Sequence, residues 1–296
     1  MTPNVSSILK ESHKLKAHQV IKYVMVFTAV ALLLGVFCEM TLAQDYPPDI
    51  RKIIDRGKLI VAIYHQDTAP FFMRDSQGGL YGVDIRLTEE IAAKLGVKVE
   101  FNCHPTTFNE VVDTVARHEA DIGMGSLSCT LERAKRVSFT KPYIVLHQGL
   151  LINRVAAARQ KHGSGIMEIL QVPDTAIGVQ GGTSHEASAR ERFSRAVIRE
   201  YPEWEDAVDA VMKGEVVAVI GDEVEVRKLI AARPEVALDL QTVVLKDTSD
   251  PIAIAVPWDS VNLLSWLNLY LDSLGGKLTV EGILKEYSQS FMPNPG

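Results

Sequence analysis

Apolar positions along the chain switch repeatedly between the period of a buried strand and the period of a helix. LIVAIY (59–64) is a continuous apolar burst, and DIRLTEEIAAKLG (84–96) then sets Leu87, Ile91 and Leu95 on one helical face before Gly96 stops it. VKVEFNC (97–103) predicts a strand, TTFNEVVDTVARHEA (106–120) a helix with Phe108, Val111, Val112 and Val115 in register, and DIGMG (121–125) a short strand. A second set follows the same order: strand HQGLLINR (147–154), polar loop AARQKHGSG (157–165), strand TAIGVQ (175–180), turn GGTS (181–184) and helix HEASARERF (185–193). It continues with helix EDAVDAVMKGE (205–215), strand VVAVIGD (216–222) and a helix around EVEVRKLIAA (223–232). The tail returns to strand PIAIAVP (251–257) and two helices (259–274 and 279–291), the first carrying Val261, Leu264, Trp266, Leu267 and Leu271 as a predicted core stripe.

Strands alternating with helices imply parallel sheets with helical crossovers, whose ligands gather beyond the carboxyl ends of the strands. No low-complexity linker separates the two sets, so two lobes joined by extended strands are expected, with hinges near His147–Gln148 and Thr248–Ser249.

Four lysines (Lys10, Lys14, Lys16, Lys22) precede the apolar run YVMVFTAVALLLGVFC (23–38), and Thr41-Leu42-Ala43 has the small-residue spacing of a signal-peptidase site. Residues 1–43 read as a secretory signal cleaved after Ala43; the alternative is a retained anchor, although a spanning helix needs about 20 apolar residues. Cys38 follows Phe37 rather than a small residue, against a lipoprotein signal. Cleavage removes four lysines and two glutamates, a net +2, and takes the charge from −6 to −8. That acidity argues against nucleic acid as a partner. Cys103 and Cys129 remain after cleavage, and their spacing does not say whether they pair. CxxC and HExxH spacings are absent and GVQGGTSH lacks a P-loop lysine, so neither metal nor cofactor is expected.

GSLSCTLERAKRVSFTKPY (125–143) crowds hydroxyls and cations at the end of a predicted strand, which a solvated helix start would also do. The order of GKLIVAIY, APFF, GGLYGVDIRLTEEIAAKLG, DIGMGSLSCTLERAKRVSFTKPY, GVQGGTSHE, VVAVIGDEV and PIAIAVP is more specific. It resembles the family 3 extracellular solute-binding proteins, amino-acid receptors of ABC importers.

The resemblance implies an α/β, two-lobed periplasmic-binding-protein type II fold, each lobe a mostly parallel sheet flanked by helices, with a hinge of two strands. Lobe 1 would comprise residues 44–147 and 249–296, and lobe 2 residues 148–248. Arg133 matches the arginine that holds the ligand carboxylate, a job suited to a planar fork of donors. Ser128, Thr183 and Ser184 match further carboxylate contacts, the last two at a helix N-terminus, where free N–H groups attract anions. For the ligand ammonium, Asp222 matches the family's acidic residue and Ser126 the position whose backbone carbonyl accepts from it; Glu223, the rival, is expected in solvent or capping the next helix. Arg133 alone could instead form an ion pair with Glu132 or Glu110. Many members carry an aromatic platform where this chain has Thr68, which leaves side-chain selectivity open among Tyr64, His65, Asp67, Thr68, Phe72, Gln148 and His185, with Phe71 as a further aromatic.

The implied function is a periplasmic, monomeric receptor that captures an amino acid or analogue and delivers it to a membrane permease, without catalysis. Two rivals share the fold: a periplasmic cyclohexadienyl dehydratase using Glu186 or His185 as general acid, and a membrane-anchored sensor.

Overall fold

The structure, a computed structural model, describes Met25 and residues 46–160, 165–276 and 278–288; the expected signal segment and its cleavage point lie outside the described residues. Residues 48–296 form one compact unit. Among the described residues no helix is long and apolar enough to cross a membrane.

Helix α1 (Pro48–Arg56) leads into β1 (Lys58–Ala62), the first apolar burst. A small hairpin, β2 (Met73–Arg74) and β3 (Leu80–Tyr81), precedes α2 (Val83–Leu95), which ends on left-handed Gly96. Then come β4 (Lys98–Asn102), α3 (Phe108–Ala116), β5 (Ile122–Gly123), a 3-10 turn at Arg133–Lys135 and β6 (Val137–Phe139). With β12 (Ala255–Pro257) from the chain's tail they complete a five-stranded sheet in the order β4-β1-β5-β12-β6. Only β12 runs against the other four.

The second sheet has the order β11-β7-β10-β8-β9, built from β7 (Ile144–Asn153), β8 (Ala176–Gln180), β9 (Val197–Tyr201), β10 (Ala218–Asp222) and β11 (Leu240–Ile252). Again four strands share a direction and one, β7, opposes them. Between these strands lie α4 (Arg154–Arg159), α5 (Ile166–Ile169), α6 (Ser184–Arg192), α7 (Trp204–Lys213) and α8 (Glu223–Ala232). Side chains alternate across the sheet: Leu150, Ile152 and Ile220 pack with Ala189 and Phe193 on one face, Leu151 and Val219 with Ala207, Val211 and Val226 on the other. Helical cover on both faces explains why the inner strands β7, β8 and β10 read as unbroken apolar runs.

Strands β7 and β11 are the longest, and their pairing slips once: Gln148 faces Leu245, whereas Leu146 faces Asp250. The extra residues form a bulge opposite His147, whose Nδ1 lies 2.6 Å from the Thr248 carbonyl. Thr248 Oγ1 accepts from Gln148 N at 2.9 Å and donates to the Leu245 carbonyl.

After β12 come α9 (Val261–Ser273) and α10 (Val280–Glu286). The expected stripe on α9 holds in part: Leu267 and Leu271 are buried and Leu264 and Trp266 half-buried, but Val261 is exposed and Leu263 and Tyr270 complete the buried face. Spacings of four, three and one track the 3.6-residue turn more closely than the stripe read from the sequence.

The start of α2 matters for everything downstream. Val83 N and Asp84 N donate to the carbonyls of Pro70 and Phe71, and Gly82 stands at φ 131° with an added Cβ only 2.4 Å from the Phe71 oxygen. Gly82→Ala is expected to destabilise the fold by about 3 kcal/mol, from strain plus collision with backbone. Gly78→Ala, at φ 83° in open space, should cost about 1 kcal/mol. Urea midpoints of the two variants check the contrast.

Candidate functional site

Four strand ends converge on one cavity between the sheets: the segment after β1, the loop after β5, the turn after β8 and the last residue of β10. Tyr64, Asp67 and Thr68 line it from the first segment, and Ser126, Ser128 and Arg133 from the second. Thr183, Ser184, His185 and Asp222 face them from the other sheet.

Arg133 is 5 % exposed, yet among the described residues no carboxylate lies within salt-bridge distance of it. Neutral acceptors hold it instead: Asn109 Oδ1 takes its Nε–H at 3.1 Å, and the carbonyls of Ser128 and Gly182 take its terminal nitrogens at 3.0 and 3.3 Å. Burial draws its pKa down to about 10, opposed by nearby Asp250, so it remains a cation at neutral pH. The alternative ion pairs do not form: Glu132 holds Lys135, and Glu110 accepts from Thr106.

The loop carrying these groups is shaped from a distance. Asp84, wholly buried on α2, accepts from the backbone N–H groups of Gly125 and Ser126 at 3.1 and 2.8 Å, and both residues have positive φ. Burial pushes the Asp84 carboxyl up to about 7, against the opposing pull of those N–H groups and the Tyr143 hydroxyl.

On the second sheet, Thr183 stands at the N-cap of α6, but its hydroxyl donates back to the Gln180 carbonyl at 2.7 Å and does not cap. Ser184 reaches across to Ser128, oxygen to oxygen at 2.9 Å. Asp222 ends β10 and caps α8, accepting from Glu225 N at 2.9 Å. Burial pushes Asp222 up to about 6, with Asp250 adding to the rise and Lys228 opposing it. Burial likewise pushes Glu225 up to about 7, despite Lys228 at 2.6 Å.

Several expectations need correcting. Glu223 is neither solvated nor the cap: it is buried, accepts from His147 N at 3.1 Å and pairs with Arg227 at 3.0 Å. Phe72, like Phe71, is fully buried core, its ring filling the space over Gly125. Gln148 is spent on Ser188, exchanging bonds of 2.7 and 3.1 Å. His65 lies outside the lining, its Nε2 3.9 Å from Glu203. Glu186 also stays out, accepting from Gly182 N at 3.2 Å and facing Arg190 at 3.3 Å. Cys103 and Cys129, whose pairing the sequence left open, are free thiols.

Other lining residues carry weight that the sequence reading missed. Asp250, 6 % exposed on β11, accepts from Ser128 Oγ at 3.0 Å and lies 3.6 Å from His185 Nε2. Glu203 takes a hydrogen bond from the Tyr64 hydroxyl, to which Gln180 also donates at 3.1 Å. Phe108 stacks on Tyr64 with ring centroids 4.8 Å apart. Contacts of Tyr64 with Glu203, Ser128 with Ser184, and Arg133 with the Gly182 carbonyl all span the cavity, so its two walls are drawn together.

The profile of the bacterial extracellular solute-binding proteins, family 3, matches residues 60–290, most of the chain. The chain belongs to that family. Among curated relatives, a cyclohexadienyl dehydratase of Pseudomonas aeruginosa is 26% identical over 62% of this chain and 66% of its own length. A putative ABC transporter arginine-binding protein 2 of Escherichia coli is 23% identical over 74% of this chain and 86% of its own. A probable histidine-binding protein of Campylobacter jejuni, 28% identical, is matched over 56% of this chain and 60% of its own length. The chain thus spans less than two thirds of the dehydratase and of the histidine-binding relative. Among solved structures, the ancestral amino acid-binding protein AncCDT-1, a precursor of cyclohexadienyl dehydratase, is 31% identical with a TM-score of 0.65, over 80% of this chain and 98% of that one. The two-lobed α/β architecture is that of this family.

In this family member the buried Asp84 makes stability depend on pH in a defined direction. Its folded pKa exceeds its ordinary 3.8, so the folded state holds the proton more tightly and stability falls as pH rises from about 4 to about 7, by up to ~1.4 kcal/mol per pH unit. Asp84→Asn is expected to flatten that slope in denaturant titrations run across the interval.

Proposed function

We propose that this solute-binding protein captures a free amino acid between its lobes and hands it to the permease of an ABC importer. The observation that carries the reading is Arg133, a buried cation awaiting a carboxylate, opposite Asp222, a buried acid awaiting a cation, with Asp250 buried beside Ser128. An amino-acid zwitterion supplies both complements. Its carboxylate meets the Arg133 fork with Ser128 and Ser184 beside it and the N-terminus of α6 behind, and its ammonium meets Asp222 and the Ser126 carbonyl.

Lobe 1 would be residues 44–147 with 249–296, lobe 2 residues 148–248, and the hinge the bulged crossing of β7 and β11. Ligand contacts made by both lobes exist only when they close, so ligand shifts the open and closed populations by that difference in affinity. A secretory signal over residues 1–43, cleaved after Ala43, would put the protein in the periplasm as a monomer. The amino-acid-binding names of several relatives support this reading.

The dehydratase among the relatives keeps a catalytic reading in play. Against it, Glu186 is engaged away from the cavity and His185, the remaining acid candidate, has its pKa lowered by burial. Both make proton donation to a substrate at neutral pH unfavourable.

Arg133→Ala is expected to weaken amino-acid binding about a hundredfold in calorimetry, by removing a charge-assisted contact in a dry site; undiminished affinity would overturn the reading. Affinity should also weaken as pH falls below about 6: Asp222, flanked by Glu225, Lys228 and Asp250, must lose its proton to take the ammonium, at a cost approaching a factor of ten per pH unit. Asp222→Asn should bind more weakly at pH 7 and lose this dependence. Incubation with prephenate or arogenate should yield no phenylpyruvate or phenylalanine; their appearance would favour the dehydratase.

A further inference from the structure

Six carboxylates line the cavity (Asp67, Glu203, Glu205, Asp222, Glu225 and Asp250), against two cations that stay charged at neutral pH, Arg133 and Lys228. Asp67 is paired with Arg74, and Glu225 with Lys228. His185 offers little further positive charge, since burial lowers its pKa. Four acids are therefore left facing Arg133. A zwitterion adds one charge of each sign and leaves this imbalance as it was, so a neutral amino acid satisfies Arg133 and one acid but not the others.

Away from Arg133 the lining changes character. Glu203, 24 % exposed, stands between lobes, taking the Tyr64 hydroxyl and lying near His65. The stacked rings of Tyr64 and Phe108 adjoin it, and Trp204, next in sequence, lies over Gly221 beside Asp222. Aromatic faces and a carboxylate at one end of a cleft are complementary to a cation: the rings attract it through their quadrupoles and the carboxylate takes its N–H groups.

We infer that the cavity is selective for an amino acid with a cationic side chain, whose charged end sits against Glu203 and the faces of Tyr64, Phe108 and Trp204. The inference rests on the amino-acid-receptor reading and adds the substrate class.

Calorimetry of the signal-free chain against L-arginine, L-lysine, L-citrulline and L-glutamine, at pH 7.5 and one ionic strength, tests it. Citrulline keeps the shape of arginine and removes the charge. Arginine or lysine is expected to bind about a hundredfold more tightly than citrulline, the scale of one desolvated charge pair. In Glu203→Gln the ratio of arginine to citrulline affinity should shrink at least about tenfold; a merely structural role for Glu203 would weaken both ligands alike and leave the ratio, and so overturn the placement. Citrulline or glutamine binding as tightly as the cations to the unmodified protein overturns the selectivity while leaving the receptor reading intact, and this comparison needs no variant to fold. Binding of none of a full amino-acid panel would overturn the receptor reading and this inference with it.

Discussion

A guanidinium taken out of water without a carboxylate is expensive, and Arg133 is in that state. Its neutral acceptors satisfy hydrogen-bonding geometry but return little of the charge's lost hydration. Under the proposed function the missing partner comes from outside, as a ligand carboxylate. The third acceptor, the Gly182 carbonyl, belongs to the turn before α6 on the opposite wall, so even the present solvation of Arg133 depends on the two sheets lying close.

The acids exert the opposite pressure. Asp250 raises the cost of ionising Asp222, and Asp222 that of ionising Glu225, and drawing the walls together removes the water that would screen them. The few polar contacts across the cleft, Tyr64 to Glu203 and Ser128 to Ser184, each contribute on the order of 1 kcal/mol. They can align the walls, but they are small beside the repulsion of partly desolvated like charges. Under the proposed selectivity, a ligand carrying positive charge would reverse the sign of that term and make closure contingent on occupancy by the right charge.

Much of this was legible in the chain. Unbroken apolar runs gave the strands because helices cover both faces of the second sheet, and the ordered motifs singled out Arg133, Ser128, Ser184 and Asp222, all of which line the cavity. Strand β11 was not legible: it is an edge strand of mixed polarity, held by backbone pairing with β7 that no side-chain period reports. Asp250 was lost with it, since a carboxylate in an apparent hinge reads as solvated. Phe108 fitted the stripe of α3, yet at the first position of that helix it faces Tyr64. Phe72 and Gln148 err the other way: near binding segments in sequence, they are committed to core packing and to Ser188. Glu223 and Asp222 differ by one residue at a strand end, where the turn into α8 decides which carboxylate caps and which turns to Arg227.

The deepest dependence runs through residues that touch no ligand. A glycine is required at 82 because the chain must pass under the Phe71 carbonyl, and only then can α2 begin with Asp84 inside the lobe. Asp84 in turn fixes Gly125 and Ser126 in left-handed conformations that a chain rarely adopts unaided. That turn sends the following residues along the end of β11, where Cys129 N bonds the Pro251 carbonyl and Ser128 meets Asp250. Arg133 then enters the cleft with its backbone N–H held by Thr130. A buried acid some forty residues upstream is thus what makes the loop rigid enough to hold a bare cation in place. Under the proposed function rigidity is the property the site needs, because a flexible loop would let Arg133 escape to water, and a cation already hydrated would gain little from a ligand carboxylate.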